Sequence, residues 1–478
     1  MLTRLEVRGF KNLLDVDVDF GPFTCIAGEN GIGKSNVFDV IEFLSFLASE
    51  TLAEAAQRVR AASGTRSGDP RDLFWDGYRN HHRVIHLAAE MLVPRHVEDD
   101  LGAEAEASTT FLRYELSLGY EPPAGEGSVG RIALLREHLS HITKGQAALH
   151  LKFPHVAKSF RSAVVTGERR GGPFISTEER ESGTVINVHG DGGSFGRPQP
   201  RGAARAGRTV LSSVTTNDYP TILAARREMQ SWRRLALEPS ALRAPDGFDA
   251  PRSMAPDGRH LAATLHRIAH QVGSDGSQRP EAVFARVAGR LSDLAGVSVD
   301  GVTVDLDPVR EVFTLFLNEN KSMRLPARAL SEGTLRFLAL CVLLEDAQAT
   351  GLICMEEPEN GIHPVNLPAM LELVRDLAVD PRLAPDEDNP FRQVIVNTHS
   401  PGVVQLCEPA DLLRAETVLV PLDDGGAARA LALRPYKGSW RLRGESEADS
   451  AVKSFTEADV IPYLVAPPGA QLTLPVDV

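Results

Sequence analysis

The chain has 478 residues, 42% of them hydrophobic and 24% charged, with a formal net charge of −13. That length supports two to four lobes around a sizeable core, and the acidic balance argues against a protein that coats nucleic acid over its whole surface. Four scattered cysteines without a C-x-x-C pair exclude a disulfide frame or a cysteine zinc site, and the lack of 18 consecutive uncharged apolar residues argues against a membrane span.

Residues 1–27 read as three strands, LTRLEVRGF, LLDVDVDF and the apolar FTCIA. The first alternates apolar and charged residues and lacks the continuous apolar core of a leader, so a cytoplasmic protein is expected. FTCIA runs into GENGIGKS (28–35), and the apolar spacing after it predicts one long helix, SNVFDVIEFLSFLASETLAEAAQRV. A polar connection over 63–82 precedes strand patterns at VIHLAAEMLV, TTFLRYELSLGY, RIALLREHL and AALHLKF, which extend a mixed β lobe to residue 155. GDGGSFGRPQPRGAARAGR (190–208) reads as a loop. Helices follow at YPTILAARREMQSWRRLAL, GRHLAATLHRIAHQV and FARVAGRLSDLAG.

From 297 strands return (VSVDGVTVDL, EVFTLFLN), then the helix TLRFLALCVLLEDA, the strand GLICME, the helix LPAMLELVRDLAV and the strand FRQVIVNTHS. That alternation predicts a largely parallel α/β sheet. The expected divisions are 1–155, an insertion and helical region 156–295, a second lobe 296–410 and an extension 411–478. Neither an internal repeat nor a long heptad run is present.

GENGIGKS fits G-x-x-x-x-G-K-S between a strand and a helix, the context of a P-loop. Gly28, Gly31 and Gly33 let backbone N–H groups converge on phosphate oxygens at a helix N-terminus. Lys34 serves as a point charge on the β- and γ-phosphates, and the Ser35 hydroxyl as a Mg²⁺ ligand. Asn30, Gly31, Gly33, Lys34, Ser35 and Asn36 are the candidate nucleotide contacts of this loop. The bland alternative is a chance glycine turn before a helix.

GLICMEEPENGIHP (351–364) ends an apolar strand in two carboxylates. Glu356 suits Mg²⁺ through its water shell, and Glu357 suits activation of the attacking water. Without the loop it would read as a strand leaving the core through a charged turn. In ALSEGTLRF (329–337), Ser331 and Gly333 open a helix whose N–H groups suit an anion, or simply cap it. VIVNTHSP (394–401) puts His399 at a strand end, where ligands gather in open α/β sheets.

Together, in this order, the four pieces resemble the ABC-type ATPase head of the SMC, RecF and RecN kind. The nearest resemblance is to short bacterial AAA-family ATPases related to the ATPase part of OLD-family proteins. RLEVRGFKNL is similar to that family's first strand and following loop. The resemblance covers residues 1–60 and 325–405, and more weakly the YPTILAARREMQSWRRLALEP-to-GRHLAATL region. It implies an ABC-type P-loop ATPase fold with ATP and Mg²⁺ as cofactors, and ATP hydrolysis to ADP and phosphate. GENGIGKS then stands as Walker A, and LICMEE as Walker B with Glu356 on the metal side and Glu357 as base. ALSEGT stands as the signature, so that Ser331 and Gly333 meet the γ-phosphate held by a second copy. His399 matches the switch histidine. The family usually carries Asp where Glu356 stands, and no glutamine matches the Q-loop, Gln146 being the nearest candidate.

The resemblance further implies a homodimer with composite ATP sites, acting in antiphage defence or DNA repair through a separate effector protein. An ATP-gated nuclease acting on its own is the alternative. The tail after 405 offers LVPLDDGG without the Glu and Asp-x-Asp set of a Toprim nuclease. A transporter ATPase subunit is disfavoured by S-E-G-T and E-P-E-N-G-I-H-P. Arg197, Arg201, Arg205, Arg208, Arg226, Arg227, Arg233 and Arg234 form a basic segment, read either as a DNA or RNA contact or as arginines paired within the protein.

Overall fold

The computed structural model describes residues 1–59, 69–80, 82–123, 125, 130–167, 171–181, 183–191, 199–203, 205–272, 279–295, 299–319, 323–422, 426–444, 446 and 454–459. Two compact units result: Met1–Arg233 with Asp380–Pro385 and Pro409–Val478, and Arg234–Val379 with Asp386–Glu408. No helix among the described residues is long and apolar enough to cross a membrane.

The first unit is built on an eight-stranded antiparallel sheet. Its order runs from Gln199–Gly202 through Gly183–Val188, Ile175–Arg180, Arg131–His141, Phe111–Glu121, Val84–Leu92 and Leu2–Arg8 to Val16–Asp19. Alternation sets the faces. In Leu2–Arg8 the side chains of Leu5 and Val7 are fully buried, opposite Ala89 and Leu87 of Val84–Leu92. Three of these strands lie in a stretch expected to be insertion, helix and loop. Gln199–Gly202 carries Pro200 at the edge of the sheet, the position where a strand tolerates proline. The remainder of the expected 190–208 loop, including Arg197, lies outside the described residues apart from 190–191, 203 and 205–208.

One expected strand and one expected helix change in this unit. AALHLKF does not form a strand: Ala147–His150 is a helical turn. Thr143 and Gln146 start it by exchanging bonds, Gln146 N to Thr143 Oγ1 (3.3 Å) and Thr143 Oγ1 to Gln146 Oε1 (2.9 Å). Gln146 is therefore an exposed cap. The long helix after the glycine loop is two helices, Ser35–Leu47 and Leu52–Arg58. Thr51 and Glu54 make a capping box that starts the second afresh.

The strand of the glycine loop, Phe23–Ala27, is buried along its length, as befits a strand in a parallel pair. Its partner in this unit comes from the far end of the chain. Leu412–Pro421 runs parallel to it, with Leu412, Leu413 and Arg414 opposite Cys25, Ile26 and Ala27. Ala427–Pro435 pairs antiparallel with Leu412–Pro421. Residues expected to be an extension thus supply strands beside the phosphate loop.

The second unit holds the helices Leu261–His270 and Pro280–Ala295. Its antiparallel sheet contains Asp246–Gly247, Val312–Glu319, Val299–Asp307 and Met323–Pro326. Helix Glu332–Glu345 is largely apolar from Leu335 on and buries Leu335 and the run from Phe337 to Leu343. Its start, at Ser331, is exposed. Gly351–Glu356 and Arg392–Thr398 pair in parallel, placing Glu356 opposite Asn397. Arg392, 1% exposed, donates to the Asp346 carbonyl at 2.8 Å and ties the root of this pair to the turn after the helix.

Candidate active site

The loop 28–35 begins where Phe23–Ala27 ends and closes on helix Ser35–Leu47. Gly33 has φ +99° and Gly31 φ +79°, a region that side chains disfavour. A Cβ at Gly33 would also land on the Asn12 amide, and one at Gly28 would sit 2.7 Å from the Ala415 carbonyl. By contrast, a Cβ at Gly31 would meet nothing within 4 Å, so the outer face of the loop is open. Asn30 and Gly31 are exposed, and Ser35 and Asn36 are half-buried. Lys34 is 6% exposed and donates at 2.7 Å to both the Gly28 and Glu29 carbonyls. The ammonium is thereby held inside the curl of the loop. A backbone cradle with a buried cation fits a nucleotide's phosphates.

Asn12 was not singled out in the sequence. Its Nδ2 donates to the Ile32 carbonyl (2.8 Å), its Oδ1 accepts from Asn36 Nδ2 (2.6 Å), and its carbonyl accepts from Leu431 N (2.9 Å). The preceding Lys11, at φ +49°, pairs with the fully buried Asp39 at 2.7 Å. Together they fasten the turn after the first strand to the glycine loop and its helix. The signal was present in RLEVRGFKNL, but its Asn was not assigned a role.

In the second unit, Glu356, Glu357 and His399 come together at the ends of the parallel pair. Glu357 Oε1 lies 2.6 Å from His399 Nδ1, and its Oε2 accepts from Asn360 Nδ2 at 2.8 Å. Its backbone is left-handed, φ +45°, and its N–H bonds the Asn397 carbonyl (3.0 Å) and Oδ1 (3.2 Å). Asn397 is 2% exposed, so a buried amide holds Glu357 in a strained conformation. Glu356 faces Arg234 at 2.6 Å. A carboxylate oxygen such as that of Glu356, like the Ser35 hydroxyl of the glycine loop in the other unit, is the kind of donor that suits Mg²⁺.

Two residues on, Glu359 is 8% exposed and hydrogen-bonded by the Thr398 hydroxyl. Burial pushes its carboxyl above the ordinary range, more than the Thr398 bond lowers it. Ser331 caps its helix, accepting from Thr334 N at 3.2 Å, yet remains exposed. Gly333 packs against the loop after Glu357: a Cβ there would lie 3.3 Å from the Gly361 carbonyl. Arg336 joins them, bonding the Asn360 carbonyl (3.0 Å) and Glu332 (2.8 Å). Ser331, Gly333 and the ENG turn thus form one surface of this unit.

The basic segment does not stay whole. Arg226 is 7% exposed, pairing with Asp100 (3.0 Å) and donating to the Ala48 carbonyl. Arg227 also pairs with Asp100, at 2.8 Å, and Arg234 with Glu356. Arg201, Arg205 and Arg208 remain exposed. Pairing within the protein accounts for Arg226, Arg227 and Arg234, which a nucleic-acid patch would have needed on its surface.

Comparison with known proteins follows these same two regions. A family model described as "AAA domain, putative AbiEii toxin, Type IV TA system" matches residues 190–405, and one described as "AAA domain" matches residues 4–79. The DNA replication and repair protein RecF of Phocaeicola vulgatus is 36% identical over 84 residues, 16% of this chain and 23% of RecF. The OLD nuclease of Thermus scotoductus is 43% identical over 44 residues, 9% of this chain and 8% of that protein. The chain thus spans less than a quarter of the curated relatives it matches. A solved SMC head bound to the C-winged helix domain of ScpA aligns over 90% of this chain and 98% of that one, at 13% identity and a TM-score of 0.43, too distant to argue from. By its motifs and these sequence matches, the chain carries AAA-domain segments and is similar there to P-loop ATPases of the RecF and OLD kind.

Proposed function

We propose that this protein is an ATP-driven switch: two copies close over ATP, and hydrolysis lets them part. Closure controls a separate effector protein in antiphage defence or DNA repair. The observation that carries the reading is the Glu357–His399 pair, 2.6 Å apart at the ends of two parallel strands. Glu357 is the base. Its Oε1 is occupied by His399 and its Oε2 by Asn360, so the carboxylate is oriented before any water reaches it. With Nδ1 turned to the carboxylate the His399 ring is oriented, and Nε2 serves the γ-phosphate as an N–H donor when both ring nitrogens carry protons.

Lys34 and the backbone N–H groups of Gly31 and Gly33 bind the phosphates, and Asn30 and Asn36 border them. The Ser35 hydroxyl of the loop and, in the other unit, the Glu356 carboxylate are each a candidate ligand for Mg²⁺, which would neutralise charge on the phosphates when bound. Ser331 and Gly333, on an exposed first turn, complete the γ-phosphate of the second copy. The match to RecF, a replication and repair protein, and to a family described by a toxin–antitoxin system supports the biological setting.

Light scattering tests the switch. With ATP and Mg²⁺, Glu357→Gln protein should run at twice the monomer mass and return to monomer with ADP. A variant that stays monomeric with ATP bound contradicts the closing dimer. Purified protein that cleaves plasmid DNA with ATP and Mg²⁺ would replace the separate effector by an activity of this chain.

A further inference from the structure

Glu356 is assigned above to the metal, yet in the structure this carboxylate already faces a cation. Arg234 Nη2 lies 2.6 Å from Glu356 Oε1, with the two side chains 22% and 31% exposed. Oε1 is buried, and among the described residues no donor meets it in hydrogen-bonding geometry. The contact is therefore a close charge pair without the directional bond of a bidentate arginine–carboxylate fork.

Arginine does not lose its proton in proteins, so this cation leaves only by moving. A divalent ion and a guanidinium cannot both sit against one half-buried carboxylate oxygen, because their mutual repulsion is poorly screened there. The Arg234 stem is long and flexible, and its side chain is 22% exposed.

We propose that Arg234 is a displaceable counter-ion on Glu356, which must release the carboxylate before a divalent metal is held there. Arg234 thereby sets the Mg²⁺ concentration at which the site loads. This rests on the reading of Glu356 as the metal-side acid.

The test measures binding rather than turnover. Affinity for a fluorescent, non-hydrolysable ATP analogue is titrated against MgCl₂, and bound Mn²⁺ is counted by electron paramagnetic resonance. Arg234→Gln should reach half-maximal metal-dependent binding at about 5-fold lower Mg²⁺, as expected when a half-buried charge pair is removed. Arg234→Lys, which keeps the charge, should stay within about 2-fold of the wild type if charge is what competes. A raised or unchanged Mg²⁺ requirement in Arg234→Gln protein that melts like the wild type overturns the proposal; a raised one makes Arg234 a residue that positions Glu356. Glu356→Gln separates the two readings. If it leaves the metal requirement unchanged, the assignment of Glu356 fails and this proposal with it. If it abolishes the requirement while Arg234→Gln does nothing, only the proposal about Arg234 fails.

Discussion

In the loop 28–35 the candidate functional groups are backbone amides, one lysine and the Ser35 hydroxyl, whereas at 356–399 they are carboxylates, an imidazole and carboxamides. The loop gains its shape from missing side chains: Gly28 and Gly33 leave no space for a Cβ, and Asn12 fills the gap behind. The acidic strand end gains its shape from side chains holding one another, Glu357 between His399 and Asn360, and Glu359 under Thr398. A backbone cradle binds whatever carries phosphates and cannot take up a proton. A positioned carboxylate can take a proton from an attacking water, the role proposed for Glu357. Binding and turnover should therefore be separable by mutation.

The largest effect expected on the loop is that of Lys34→Ala. It removes the buried cation and should weaken ATP binding by about 100-fold or more, the scale of a charge-assisted contact. Retained affinity, measured by fluorescence anisotropy, would move phosphate binding elsewhere. Gly33→Ala comes next. At φ +99° and against Asn12, a methyl should cost about 1–3 kcal/mol of stability, read from urea midpoints, and impair binding with it. The colliding atoms belong to a side chain, so Asn12→Ala in the same protein should recover part of that loss, leaving the strain of φ. Alone, Asn12→Ala should weaken nucleotide binding by about 10-fold, as one or two buried hydrogen bonds are lost. An unchanged affinity would leave Asn12 a purely structural residue.

The smallest effect belongs to the other region. Burial raises the Glu359 carboxyl pKa in the folded state. The folded protein then holds this proton more tightly than the unfolded chain, so the group's contribution to stability falls as pH rises through and above the ordinary carboxylate range. Glu359→Gln keeps an acceptor for Thr398 and removes the charge. It should flatten this part of the pH dependence and leave stability at neutral pH equal or higher by up to about 1 kcal/mol. Urea midpoints between acid and neutral pH check the sign. An unaltered slope would mean that another group carries it.

Much of both regions was legible in the sequence because each carries its chemistry within one short segment. GENGIGKS lies between a strand and a helix, and LICMEE ends on a strand, as their patterns indicate. Contacts made by distant residues were less legible. Asn12 acts on a loop some twenty residues away, Asn397 orients Glu357 across a strand pair, and Leu412–Pro421 flanks a strand near the opposite end of the chain. Local pattern misled where a cap overrode periodicity, at Thr51 and at Thr143–Gln146, and where the edge strand Gln199–Gly202 carried Pro and Gly. The arginines of 197–234 read as a patch because sequence shows their charge but not Asp100 and Glu356, which pair with three of them.

The division of labour between the two regions is tested most directly by measuring ATP affinity and single-turnover phosphate release on Glu357→Gln protein. The account predicts affinity within about 3-fold of the wild type and a rate of phosphate release lower by about 100-fold or more, the range of a lost general base. Release at the wild-type rate with ATP bound would contradict it and remove Glu357 from the chemical step.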